Sequence, residues 1–324
     1  MKFKEKVKNF IEKKSDLPKM IVIYWPTASG KTWASIEVAK YIDSEIISTD
    51  SRQIFKYLNI WTWKITEDEK EWIKHYMIDI ISPDEEYSVW EFKKLAEENI
   101  EKIYSKWKVP ILCWGTGLYI DSLIYDFNIP KIPADEKLRK ELENDAEKYW
   151  NEYVWNKLNE IDPDYAKELH YNNIRYIIRA IEVKLLTWKS KTEFREEKIL
   201  KYDILFLTPY NWDREYLYGR INKRVWMMFD DGLLSEVKEL LKKYNKNDFW
   251  MKTIWYKEVI EYFENKDKID KNIVWEKWKK LSLWEKVKRG IALDLDETIE
   301  LVQKNNRNYA KTQLTWFKKY EWEF

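Results

Sequence analysis

Sulfur chemistry is nearly absent from this chain. A single cysteine, Cys113, rules out any internal disulfide. That places the sequence with proteins of reducing compartments rather than with disulfide-stapled secreted domains. The two histidines, His75 and His170, are not spaced with that cysteine as metal ligands. Both read as structural, and Cys113 reads as inert packing in a buried strand. No run of about 18 apolar residues exists, and the leading MKFKEKVKNFIEKKS has no apolar signal core. These absences predict a cytoplasmic chain with no membrane partner. Charge of one sign is missing too: 58 Lys and Arg stand against 57 Asp and Glu, a net +1. A generic polyanion binder is thereby excluded, and any nucleic-acid surface must be a local basic patch.

Glycine is the most telling shortage. The chain has 6 glycines and 20 tryptophans, whereas average usage would give about 23 glycines at this length. Tryptophan stands where turns ask for glycine. Trp107 separates a helical run, Phe92 to Tyr104, from an apolar run, Val109 to Cys113; Trp188 follows the helical run Arg175 to Leu186. Both are helix exits, where a left-handed residue is favoured. One reading is a tryptophan-rich protein with unusual turns. The other is that most of these tryptophans stand at glycine codons, for instance UGA decoded as glycine by the source cell.

What is present reads as alternating strands and helices. Residues 1–18 form an amphipathic extension with Phe3, Val7, Phe10 and Ile11 at helical spacing. Strands are predicted at Met20–Tyr24, Glu45–Ser48, Tyr76–Ile81, Val109–Cys113 and Asp203–Leu207, with a helix over Ser88–Tyr104 capped by Ser88 and another from Leu118. This is an α/β pattern, a parallel sheet flanked by helices. From Pro130 to Lys201 the chain is charged and helical, entered through Lys131–Asp135. The expected organisation is a catalytic core of residues 19–130 and 202–324, a helical insertion over 131–201 and a helical carboxyl-terminal part.

Trp25–Pro26–Thr27–Ala28–Ser29–Gly30–Lys31–Thr32 follows the first strand and opens a helix. Read with glycine at position 25, it is the phosphate-loop pattern G-x-x-x-x-G-K-[ST] in its strand–loop–helix context. Main-chain N–H groups at such a helix start point at phosphate oxygens. Lys31 adds a point charge, and Thr32 is a ligand for Mg²⁺. A tryptophan at position 25 is a defect in this pattern, because it keeps the backbone from the phosphates. The loop binds a diphosphate or a nucleotide such as ATP and leaves the reaction open.

The segments Ile46–Gln53 (IISTDSRQ), Tyr76–Ile80, Trp114–Tyr119 (WGTGLY), Arg175–Val183, Arg220–Arg224, Ile254–Glu258 and Tyr309–Phe317 (YAKTQLTWF), with the loop, resemble the tRNA dimethylallyltransferases in order from about residue 20 to 318. The family has glycine at Trp25, Trp61, Trp114 and Trp255, but tryptophan at Trp316. Thr312 stands where the family usually has arginine, and Lys74 where it usually has proline.

The resemblance implies a phosphate-loop fold and transfer of a dimethylallyl group from dimethylallyl diphosphate to the exocyclic amine of adenine 37, in the tRNA anticodon stem-loop, by a monomer. It implies Asp50 as general base, with Lys31, Thr32, Arg224 and the loop residues 25–32 holding the diphosphate with Mg²⁺, and Arg220 one helical turn from Arg224. Ser51, Arg52, Gln53 and Thr116 would hold the extruded base. Arg175, Arg179, Arg307, Lys311 and Gln313 would face the RNA. The stretch Lys304–Lys319 has no acidic residue, which predicts binding that weakens steeply with salt. Trp316 and Phe317 in it read as core. Two other readings share the loop: a small-molecule or nucleotide kinase, and a non-catalytic tRNA-binding relative in which a genuine Trp25 blocks the diphosphate.

Overall fold

The computed structural model describes residues 2–125, 134–194, 198–208, 213–246, 248, 256–269, 281–289 and 291–321. Lys131–Pro133 of the expected linker and Ile254–Trp255 of one motif lie outside these, and so does the side chain of Trp114. The chain divides into two compact units, residues 1–124 with 201–324, and residues 125–200.

The elements of the larger unit follow the apolar periodicity. Helix α1 (Lys2–Glu12) precedes strand β1 (Lys19–Ile23), helix α2 (Lys31–Tyr41), strand β2 (Ile46–Thr49) and strand β3 (His75–Tyr76). Helix α3 (Val89–Tyr104) starts at Ser88 with a full capping box to Glu91 and leads to strand β4 (Ile111–Trp114) and helix α4 (Gly117–Ile124). All five strands are parallel, in the order β3-β2-β4-β1-β5, where β5 is Asp203–Leu207. The near-continuous burial of β1 and β2 is what a sheet covered on both faces requires, while the edge strands β3 and β5 are less buried. Strand β3 is shorter than its sequence predicts, because Met77 and Asp79 take φ of 64° and 56° and turn the chain out of the ladder. Helix α1 packs rather than frays: Val7 and Phe10 are buried with Ile21, Ala39 and Leu207.

The sheet order sets the site. Successive connections run to one side from β1 and to the other from β4, so the strand order reverses between these neighbours. Ligands of open α/β sheets bind beyond the carboxyl ends of the strands at such a reversal. The phosphate loop leaves β1 there, Asp50 leaves β2, and Gly115 leaves β4.

The smaller unit packs helix α5 (Glu136–Ile161) on helix α6 (Ile174–Thr187), burying Leu142, Val154, Leu158, Ile177 and Ile181. In the larger unit, helices α7 (Arg214–Asp230), α8 (Leu233–Lys243), α9 (Tyr256–Ile269) and α10 (Leu295–Glu321) complete the fold. One core joins the loop after β2, through Ile54, Phe55 and Leu58, to Met228, Val237 and Tyr256. Among the described residues no helix is long and apolar enough to cross a membrane.

Candidate active site

The turn out of β1 passes through two left-handed residues, Ala28 at φ 63° and Gly30 at φ 92°, and α2 begins at Lys31. The first N–H groups of a helix have no partner within it and concentrate positive potential. Lys31 Nζ folds back to donate to the Pro26 carbonyl at 2.9 Å. From α7, Arg224 reaches the same loop and donates to Thr27 Oγ1 at 2.7 Å. Its guanidinium lies 5.0 Å from the Trp63 ring centroid.

Asp50 is held from two sides. Its Oδ1 accepts the Arg52 N–H at 2.9 Å, an Asx turn within the loop after β2. Its other flank rests on bare backbone: a Cβ at Gly115 would sit within 2.5 Å of Asp50 Cγ. Gly115 is therefore required by close approach, not by its dihedral angles. The loops are tied together by Thr116, whose N–H donates to the Thr49 carbonyl at 3.0 Å, whose Oγ1 accepts from the Ser51 N–H at 3.1 Å, and whose hydroxyl lies 2.9 Å from Ser51 Oγ.

Two cavities meet at these groups. The inner one, about 110 Å³, is lined by Lys31, Thr32, Asp50, Gln53, Arg224 and Tyr309, with Ile46, Ile65, Ile78 and Met228 forming an apolar flank. The outer one, about 690 Å³, is lined by the loop from Ala28 to Thr32 with Arg220, Lys223 and Arg224. Lys31, Thr32, Trp63 and Arg224 belong to both walls. Burial pushes the Lys31 ammonium down to about 8; Arg224 acts in the same sense, while Cys113 and Asp50 oppose it. Burial lowers the Arg224 guanidinium to about 10, with Asp50 opposing, so Arg224 stays charged at neutral pH. Burial, and then the nearby Asp50 charge, push the Tyr309 phenol up to about 12. Two cations and one carboxylate thus face a shared, partly dehydrated space, where each interaction is stronger than in water. Among the described residues no three His, Cys, Asp or Glu side chains form a metal cluster. The hydroxyl of Thr32 and the carboxylate of Asp50 are among the hard oxygen donors lining the cavity, beside the hydroxyls of Thr27, Ser35, Ser48 and Thr62. This set fits Mg²⁺ once diphosphate oxygens complete the shell.

Other residues land elsewhere than their sequence context suggests. Trp25 is not part of either cavity around Lys31. It is 2% exposed, its ring stacks on Phe317 at 6.0 Å and 10°, and it edges a separate groove with Arg214, Lys311 and Lys318. The side chain turns away from the phosphate side, so it does not block that side. Phe317 is fully buried, while Trp316 is 37% exposed and lies over the Gly117 backbone. Gln313 is buried: it accepts the Thr27 N–H at 3.0 Å and donates to the Gly115 carbonyl at 3.0 Å, clamping α10 to both loops. Gln53 is satisfied internally, with Ser48 Oγ donating to it at 3.0 Å. Ser51 and Arg52 are half-buried at the rim, Ser29 is buried in the loop, and Arg307 donates to Asn222 at 2.6 Å. Lys311 is exposed, 6.0 Å from the Tyr218 ring. Arg175 is exposed on α6; Arg179 on the same helix pairs with the fully buried Glu182, which also holds Arg139. Cys113 packs against the sheet core as expected, and both it and His75 also line the inner cavity.

Three further groups shape the site without a signal in the sequence that marks their roles. Trp63 stands between the cavities. Tyr309 lines the inner one and donates to the Gly115 carbonyl at 3.5 Å. Glu236 of α8 accepts the N–H groups of Asn59, Ile60 and Trp61, at 2.9, 2.8 and 3.3 Å, and so shapes the wall after Asp50. Only the acidic-then-apolar spacing of α8 hints at Glu236; nothing in the sequence marks its partners.

Known proteins carry the same organisation. The IPP transferase family matches residues 53–320. The chain is 44% identical over 305 residues to the tRNA dimethylallyltransferase of Acetivibrio thermocellus, covering 93% of this chain and 89% of the relative. It is 42% identical over 306 residues to that of Alkaliphilus oremlandii, covering 94% and 89%. Among solved structures, a tRNA isopentenylpyrophosphate transferase from Bacillus halodurans is 35% identical with a TM-score of 0.61, covering 93% of this chain and 86% of that one. A eukaryotic dimethylallyltransferase captured acting on tRNA is 29% identical with a TM-score of 0.68, covering 93% and 70%. With the family match running from residue 53 to 320 and relatives above 40% identical over most of both chains, the chain belongs to the IPP transferase family, the tRNA dimethylallyltransferases.

Proposed function

We propose that this chain transfers the dimethylallyl group of dimethylallyl diphosphate to the N6 amine of adenine 37 in the tRNA anticodon stem-loop, releasing diphosphate, as a cytoplasmic monomer. The observation that carries the reading is the shared wall. Lys31 and Arg224 stand where outer and inner cavities meet, and Asp50 faces them from the next strand end. The loop amides of the outer cavity, with Arg220, suit the diphosphate, and the apolar flank of the inner cavity suits the five-carbon tail. The C1–O bond then lies at the junction.

The reaction needs three things. The amine of an extruded adenine attacks C1; the C1–O bond breaks and its electron pair leaves with the diphosphate; the amine proton goes to Asp50. Lys31 and Arg224, both buried, stabilise the charge growing on the leaving oxygen. Asp50, fixed between the Arg52 N–H and the Gly115 backbone, is oriented before the substrate arrives. Bound Mg²⁺, held through Thr32 with Asp50 nearby, would add further positive charge beside the diphosphate. Ser51, Arg52 and Thr116 at the rim hold the extruded base and its neighbours, and Arg175 and Lys311 offer exposed charge to RNA phosphates.

The direct test supplies labelled dimethylallyl diphosphate and unmodified tRNA. Label in the tRNA, with nucleotide neither required nor consumed, is the expected result. Phosphate transfer from ATP with no label in tRNA would instead identify a kinase.

A further inference from the structure

We infer that the functional enzyme carries glycine at positions 63, 107, 150 and 188, and that in it the two cavities flanking position 63 form one continuous channel. The backbone carries the first part independently of composition. Among the described residues ten non-glycine positions have left-handed φ, and four of them are tryptophan, a type that fills only 20 of 324 positions. Asn and Asp are the residues that tolerate this region; a bulky side chain there is an outlier.

Each of the four sits where the chain demands the conformation. Trp107, at φ 61°, closes α3: its N–H donates to Tyr104 and that of Lys108 to Ile103, the double closure of a helix end that glycine normally makes. Trp188 ends α6 at φ 60° and ψ 5°, its N–H on Lys184. Trp150 is the most demanding. At φ 75° and ψ 158° it breaks α5 in the middle, in a region that essentially only glycine occupies. Nothing offsets the strain by burial, for Trp107, Trp150 and Trp188 are 97%, 80% and 83% exposed.

Other tryptophans behave as tryptophans. The Trp155 indole N–H donates to the Ala166 and Leu169 carbonyls at 3.0 and 2.8 Å, and Trp316 covers Gly117. A chain in which one letter fits two such different environments is what results when two codons, one read as glycine and one as tryptophan, are both written as tryptophan. Trp25 and Trp61 are buried among rings, and the backbone argument does not reach them.

Position 63, at φ 49°, gives the substitution a consequence at the site. Its indole belongs to the wall of both cavities and lies against Arg224. Without it, the outer space beside the phosphate loop opens onto the inner space beside Asp50. This clause rests on the transferase reading; the glycine assignment does not.

The decisive experiment is peptide sequencing by tandem mass spectrometry on protein isolated from its source cells. Glycine at 63, 107, 150 and 188, with tryptophan at 155 and 316, is expected; tryptophan at the four positions would overturn the inference. A second measurement needs no source cells. The recombinant chain carrying W107G, W150G and W188G together should gain at least about 100-fold in its folding equilibrium constant, from roughly 5- to 30-fold per relieved left-handed residue. W155G should lose stability. No gain in the triple variant would overturn the assignment at those positions. For the channel, calorimetry with dimethylallyl diphosphate should give about tenfold tighter binding in W63G; equal or weaker binding would overturn the channel while leaving the glycine assignment and the transferase reading untouched.

Discussion

Replacing Gly115 by alanine tests the site through a residue that carries no functional group. The added Cβ would lie within 2.5 Å of Asp50 Cγ and 2.8 Å of Asp50 Cβ. Real carbon atoms do not approach so closely, so one side must give way. The β4 side is pinned: Trp114 is in register with Thr49, and the Gly115 carbonyl holds the Gln313 amide at 3.0 Å. Asp50 has one tether of comparable strength, the Arg52 N–H. The carboxylate should therefore rotate or retreat by about 1 Å. A displacement of that size at a reacting group costs on the order of 100-fold in rate. In Gly115→Ala, kcat for prenyl transfer should fall by about that factor, with the diphosphate Kd within about twofold, because Lys31 and Arg224 are held by the phosphate loop. Single-turnover transfer of labelled dimethylallyl to tRNA, with calorimetry for the diphosphate, measures both. A variant that turns over at the parental rate would refute the placement of Asp50 against Gly115 as a catalytic constraint.

Three further outcomes follow from the same geometry. Arg224→Ala removes a charged donor at the junction of the cavities and should weaken dimethylallyl diphosphate by roughly 10- to 100-fold, about 1.5–3 kcal/mol, with tRNA affinity retained; calorimetry checks it, and an unchanged Kd would count against the clamp. Because burial holds Lys31 near 8 instead of its ordinary 10.5, diphosphate affinity should fall roughly tenfold per pH unit above about 8. Stability runs the other way: the unfolded chain binds more protons between about 8 and 10.5, so the Lys31 contribution improves as pH rises through that window, and Lys31→Met should flatten both profiles. Gln313→Leu strands the Thr27 N–H and removes one donor from the Gly115 carbonyl, and should cost about 1–3 kcal/mol in denaturant unfolding while leaving tRNA affinity within twofold; the reverse pattern would return Gln313 to the RNA surface.

The strands and the phosphate loop were legible because their signals are local. A β-branched run followed by Ser29–Gly30–Lys31–Thr32 has few alternatives, and five short apolar runs between helical stretches describe the sheet that forms. Asp50 and Arg224 were legible only through motif resemblance, since neither carries a local signature of its role. What stayed hidden depends on distant partners. Gln313 looked like one polar residue in a basic helix, yet it closes contacts 286 and 198 residues away. Arg179 reads from the sequence as a surface cation, and its ion pair to the buried Glu182 shows only in the fold. Trp25 looked like an obstruction because sequence position does not say which way a side chain turns. The left-handed tryptophans are the opposite case: the glycine shortage raises the question in the sequence, and the dihedral angles of positions 107, 150 and 188 are the observation behind the proposed answer.

In the proposed reaction a carboxylate takes the amine proton while two cations hold the departing diphosphate. Asp50→Asn is its most direct probe, because asparagine retains an oxygen for the Arg52 N–H and the same shape against Gly115 but cannot serve as the base. Single-turnover transfer should fall by about 10²- to 10⁴-fold, with diphosphate and tRNA affinities held within about twofold. Transfer at a rate close to that of the parent protein would contradict the assignment of Asp50 as the proton acceptor.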